Sequence, residues 1–145
     1  MPKSQRPSAP TTRTDSFGRT DLHEAAIAGD GRRCRQLLAE NADPNVVDKL
    51  GWTPLHFAAQ RQAFEAVDAL LVAGATVDAR DNHGNSPLGK AVFSSNGDGT
   101  VIERLRAAGA DPYLANSHGV SPIRLARTIA NYDVAQFFKD LPVEA

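Results

Sequence analysis

Four glycines fall at nearly even intervals along the 145-residue chain, and this spacing constrains the fold more than any other feature. Gly18, Gly51 and Gly84 stand 33 residues apart, and Gly119 follows 35 after Gly84. Ala42, Ala75 and Ala110 also step by 33 and then by 35. One two-residue insertion explains both series. A period of this length marks a supersecondary unit copied along the chain, each copy burying its apolar face only against its neighbours.

The units begin at Asp15, Asp48, Asp81 and Asn116, with the openings DSFG, DKLG, DNHG and NSHG. Glycine in the fourth place accepts the positive φ that a tight hairpin-like turn needs. Thr53-Pro54, Ser86-Pro87 and Ser121-Pro122 follow, and Thr20-Asp21 takes their place in the first unit. A hydroxyl residue before proline predicts a helix start: the hydroxyl accepts from a free backbone N–H, and proline has no N–H to waste. A short helix with small apolar residues such as Leu55, Ala58 and Ala59 is expected next. A second helix should carry Phe64, Val67, Leu70 and Leu71 on one face and stop at Gly74, a residue suited to a left-handed cap.

Turn, helix, turn, helix at this period resembles the ankyrin repeat. GWTPLHFAA (51–59) with LLVAGATVDA (70–79) carries the fullest agreement, and GRTDLHEAA with LLAENADPN matches in the first unit, with Asn41 in place of the usual Gly. GNSPLGKAV with LRAAGADPY matches in the third, and GVSPIRLAR in the fourth, which looks like a C-terminal cap. The expected fold is therefore an all-α solenoid of four helix-turn-helix repeats with short β-hairpin-like turns, at about 15–47, 48–80, 81–115 and 116–141. Residues 1–14, rich in Pro, Ser and Thr, read as a disordered tail, and 142–145 as a short C-terminal tail.

Hydrophobic residues make up 41% and charged residues 23%, enough for a core and a wettable surface. Net charge is −1, which gives no reason to expect nucleic acid or an anionic membrane as partner. Three of the 16 basic residues, Lys3, Arg6 and Arg13, lie in the first 14 positions, so the rest holds 13 basic against 17 acidic residues. No apolar run spans a bilayer, and no apolar stretch follows the basic N-terminus as a secretory signal requires. With Cys34 as the one cysteine, a cytoplasmic setting is expected. Cys34 falls where the second helix of the first unit wants a core residue, and a buried thiol is the expectation despite Arg33 and Arg35 beside it.

Catalytic patterns such as GxSxG, a phosphate-binding glycine loop or HExxH are missing, and no cofactor is expected, so the chain reads as a binding protein and not an enzyme. The solenoid resemblance implies a stiff concave face made by the hairpin tips and first helices, and a protein as its ligand. Candidate contact residues are Phe17 and Arg19 in the first unit and Lys49, Leu50, Trp52 and Arg61 in the second. Asn82, His83, Asn85 and Phe93 follow in the third, and Ser117, His118 and Val120 in the fourth. Tryptophan and arginine are enriched among binding hot spots, although Trp52 serves equally well as packing over the next turn. His23 and His56 lie in TDLH and TPLH, where the family's histidine bonds the neighbouring hairpin. His83 and His118 are too few for a zinc site. The insertion Ser94–Gly99 lacks the first Asp and last Glu of a calcium loop, leaving a longer connection that offers a second, smaller contact site.

The segments AVFSSNGDG and GVSPIRLARTIANYDVAQFF also look like small stand-alone bacterial ankyrin proteins, some of them similar to immunity proteins that block a toxin made by an adjacent gene. That resemblance implies a monomeric inhibitor of a toxin or effector domain encoded nearby. An adaptor joining two proteins is the alternative, and an enzyme using His83, His118 and Asp81 comes last.

Overall fold

The computed structural model describes residues 14–142. Of the tails expected at 1–14 and 142–145, all but Thr14 and Pro142 lie outside the described residues. Seven α-helices occur among the described residues: α1 Asp21–Ile27, α2 Gly31–Ala39, α3 Pro54–Gln60, α4 Phe64–Val72, α5 Pro87–Ser94, α6 Thr100–Ala107 and α7 Pro122–Thr128. They form two layers. Helices α1, α3, α5 and α7 pack side by side in one, and α2, α4 and α6 in the other.

Each first helix starts where local chemistry says it should. The side chains of Thr20, Thr53, Ser86 and Ser121 accept from the N–H three residues on, with proline at the first helical turn in α3, α5 and α7. Small residues then let the layer close up: Ala26, Ala58, Ala59 and Ala91 are fully buried beside Leu55, Leu88 and Ile123. In the second layer Cys34, Val67 and Ile102 hold the same place in successive units, and all three are fully buried. Cys34 is thus a core residue, and burial pushes its thiol up to about 11, with the nearby Asp30 charge adding to the shift.

Two local expectations need correction. Phe64 does not join the buried face of α4, which is made by Ala66, Val67, Ala69 and Leu70, and it stays 41% exposed. At about 100° per residue Phe64 lies roughly 140° round the helix from the centre of that face. The fourth unit does not have a second α-helix either. Its place is taken by a 3-10 turn, Val134–Phe138, whose Asp133 cap makes no side-chain hydrogen bond. Val134 and Phe138 face the core, while Phe137 reaches over Gly99 in the insertion, leaving no room there for a Cβ. Arg106 fixes this segment by a two-pronged bond to Asp140 (2.9 and 3.0 Å) and a bond to the Phe137 carbonyl (2.8 Å). The 94–99 loop therefore packs its inner side on the chain's own C-terminal segment, with Tyr132 against Gly97.

Two histidines tie the units together. The backbone N–H groups of Thr20 and Thr53 donate to Nδ1 of His23 and His56, each at 3.0 Å. On the far side the rings reach the Trp52 and Asn85 carbonyls at 2.9 and 2.8 Å. A carbonyl only accepts, so Nε2 carries the proton and Nδ1 is the acceptor: both rings are neutral and both ends are used. Burial lowers the pKa of each below 6.5, although the carbonyl contact works the other way. A group held neutral in the fold favours the unfolded chain once that chain takes up protons. Stability is therefore expected to be full above pH 6.5 and to fall as the pH drops below it, well before the ordinary carboxylate value of 3.8 is reached. A urea midpoint that stays level between pH 7.5 and 5 would refute this.

Candidate functional site: the hairpin and first-helix face

The turns present their tips in a fixed row. Glycine takes φ of 77 to 80° at Gly18, Gly51, Gly84 and Gly119. The residue opening each unit organises the turn from within. Oδ1 of Asp15, Asp48 and Asp81 accepts from two backbone N–H groups, those of Phe17 and Arg19, Leu50 and Trp52, and His83 and Asn85. Asn116 does the same for His118 and Val120. Adjacent turns are stitched by single backbone bonds: Lys49 N–H to the Phe17 carbonyl, Asn82 to Leu50, and Ser117 to His83, at 2.9 to 3.0 Å.

On this scaffold lies a column of stacked side chains from three units. The Arg19 guanidinium sits between the rings of Phe17 (4.8 Å) and Phe57 (5.1 Å). Phe57 stacks on Trp52 with centroids 4.6 Å apart, and Lys90 Nζ stands 3.8 Å over the Trp52 ring. Both cations have buried counter-ions beneath them. Arg19 Nε is 3.6 Å from Asp48, and Lys90 Nζ is 3.1 Å from Asp81. Burial alone would raise the Asp81 carboxyl, but the Asn85 N–H and the Lys90 charge overbalance it and hold it low. In this stack Phe57 is buried and Trp52 half-buried between its neighbours, so Phe17 is the ring left exposed, and both cations are paired with carboxylates.

The candidate residues divide by placement. Phe17, Leu50 and Phe93 are exposed, at 57, 55 and 72%. Lys49, Arg61, Asn82, His83, Ser117 and His118 are also exposed, the last two at the tip of the final turn. Trp52 is half-buried within the column. Asn85 is spent on the fold: its Oδ1 accepts from Asn116 Nδ2 at 2.9 Å. Val120 lines a cleft beside α5 and α7, and Arg61 stands at the C-terminal cap of α3. Sequence reasoning missed Phe57 and Lys90, which follow TPLH and SPLG at the same place in successive units. Their large side chains at one repeat position were the available signal. Among the described residues no three His, Cys, Asp or Glu side chains are placed to hold a metal, and no helix is long and apolar enough to cross a membrane.

A family model for ankyrin repeats, in three copies, matches residues 22–116. The chain belongs to the ankyrin-repeat family. That match ends at Asn116, the first residue of the fourth unit. Among known ankyrin-repeat proteins, it is similar to "Neurogenic locus notch homolog protein 1" of Danio rerio, 36% identical over 124 residues, covering 84% of this chain and 5% of that protein. It is 40% identical over 103 residues to human "Neurogenic locus notch homolog protein 4", covering 70% of this chain and 5% of the other. Human "SH3 and multiple ankyrin repeat domains protein 2" is 30% identical over 127 residues, 87% of this chain and 7% of that protein. The chain thus corresponds to a small part of each of these much longer relatives.

Proposed function

We propose that this ankyrin-repeat chain recognises and blocks a partner protein through the face that carries the Phe17–Arg19–Phe57–Trp52–Lys90 column. Ankyrin repeats are protein-interaction modules, and here the column supports a specific contact surface. Large groups from three units stand in register, and Phe17 and Leu50 are left more than half exposed at the tips. Phe17 packs one face on Arg19 and Leu50 stands at the neighbouring tip, and their exposed surface suits contact with a ligand. Binding, with no chemical step, fits a face whose cations are already paired.

The narrower reading, a blocker of a toxin encoded nearby, rests on the resemblance of residues 91–138 to small bacterial ankyrin proteins. The relatives described above are animal proteins, so they lend it no support. Co-expression with the neighbouring reading frame addresses it, since a toxin blocker must restore growth.

With a partner captured, identified and purified, Phe17→Ala and Leu50→Ala should each weaken binding by about thirty-fold, the equivalent of ~2 kcal/mol at a hot spot. Val72→Ala, on the opposite layer and 77% exposed, should leave affinity unchanged. The reverse pattern would place the binding surface on the second-helix layer and end the proposal.

A further inference from the structure

The first two connections between units are each filled by an imidazole ring, and the third is not. Gly89 stands 33 residues after His56, in SPLG where the earlier units have TDLH and TPLH. Crowding does not demand glycine here, because an added Cβ would meet only Ser86 Oγ, at 3.8 Å. In place of a ring there is a small half-open cleft lined by Asn85, Ser86, Gly89, Asn116, Val120 and Leu125 among others.

Both hydrogen-bonding ends of the missing ring remain. The Ser86 N–H corresponds to the Thr20 and Thr53 N–H groups that donate to Nδ1, and among the described residues no acceptor takes it. Ser86 is 2% exposed, so that N–H is a buried donor. The Val120 carbonyl corresponds to those of Trp52 and Asn85. Each of those two accepts one bond from its own turn and a second from a histidine. Val120 has the turn bond, from Asn116 N–H at 2.9 Å, and no second among the described residues.

We infer that the cavity at Gly89 is a socket for a neutral imidazole ring, supplied either as a free azole or as the histidine side chain of a bound protein. The ring accepts from Ser86 N–H through one nitrogen and donates to the Val120 carbonyl through the other, as His23 and His56 do in their own places. Glycine, having no side chain, leaves the ring room to enter unattached. The socket is separate from the aromatic column, and its occupation does not depend on the partner proposed above.

The test is an amide NMR titration of the full chain at pH 8, with imidazole in one arm and N-acetyl-histidine methylamide in the other. Saturable shifts confined to Ser86, Gly89 and Ser121, half-complete in the millimolar range, are expected for a ligand of this size. Saturation by imidazole alone identifies a small azole as the ligand, and saturation by both admits a histidine side chain. At pH 5 the ring is protonated and has no acceptor, so apparent affinity should fall by roughly tenfold or more. Pyrrole, a donor without the second nitrogen, should not saturate the site. Gly89→His should supply its own ring and abolish the shifts, and the native chain decides the matter even if that variant folds poorly. Linear shifts, shifts spread over the surface, or equal binding of pyrrole would overturn the socket.

Discussion

Replacing His56 with alanine is expected to destabilise the protein by ~3 kcal/mol or more, measured as the loss in free energy of urea unfolding at pH 7.5. The ring is wholly buried and both its nitrogens are bonded. Its removal strands the Thr53 N–H and leaves the Asn85 carbonyl one bond short, and each buried polar group left unpaired costs about 1–3 kcal/mol. The space once filled by the ring adds a cavity cost, because Trp52 and Phe57 are held in the column and do not collapse into it freely. Alanine at the equivalent place in the third unit should act the other way. Gly89→Ala breaks no bond, meets only an ordinary contact, and gains up to ~1 kcal/mol in helix propensity. If the two substitutions proved similar in size and sign, the histidine would not be the tie between units.

The second large effect is expected at the turn glycines, where position in the stack decides the outcome. Gly51 has φ of +80°, and a Cβ there would lie 2.8 Å from the Asn82 backbone nitrogen. Gly51→Ala therefore carries both backbone strain, ~1–2 kcal/mol, and a collision that pushes two turns apart. The separation weakens the bonds from Asn82 N–H to Leu50 and from Asn82 Nδ2 to the Lys49 carbonyl, both 3.0 Å. The total should reach ~3 kcal/mol. Gly119 has the same conformation, φ +77°, with nothing within 4 Å of the added carbon. Gly119→Ala should then show the strain alone, about half the loss. Equal losses in thermal or urea unfolding would mean that contact between turns contributes little.

These contrasts also show what was legible in the residues. Helix starts and turn conformations depend on neighbours a few positions apart, so Thr53-Pro54 or DKLG announced them directly. The left-handed cap at Asn41, φ 70°, was likewise readable from its place in the repeat. Phe64 misled because spacing by three and seven fits a helical stripe without saying where its centre lies, and Ala66 and Ala69 carry the burial instead. The 3-10 turn at Val134–Phe138 was hidden for another reason: its Phe137 packs over Gly99, a contact between positions 38 residues apart that local spacing does not announce. The same holds for the stacked column. Trp52 and Arg19 were visible as candidates, but Phe57 and Lys90 became neighbours of theirs only once three units were in register. The want of a histidine at Gly89 stood in SPLG beside TPLH, but the sequence reading passed over it.

The column has a consequence for how tightly such a face can hold a ligand. Its members are anchored on separate units, so the distances between them are set by the rise from one unit to the next. Each cation is pinned by a carboxylate and an aromatic ring before any ligand arrives. Little rotational freedom is left to surrender on association, and freezing a long side chain otherwise costs about 0.5–1.5 kcal/mol. As the proposed contact surface, such a face would work as a ruler of fixed gauge, holding at small entropic cost a ligand whose own features match the interval between units.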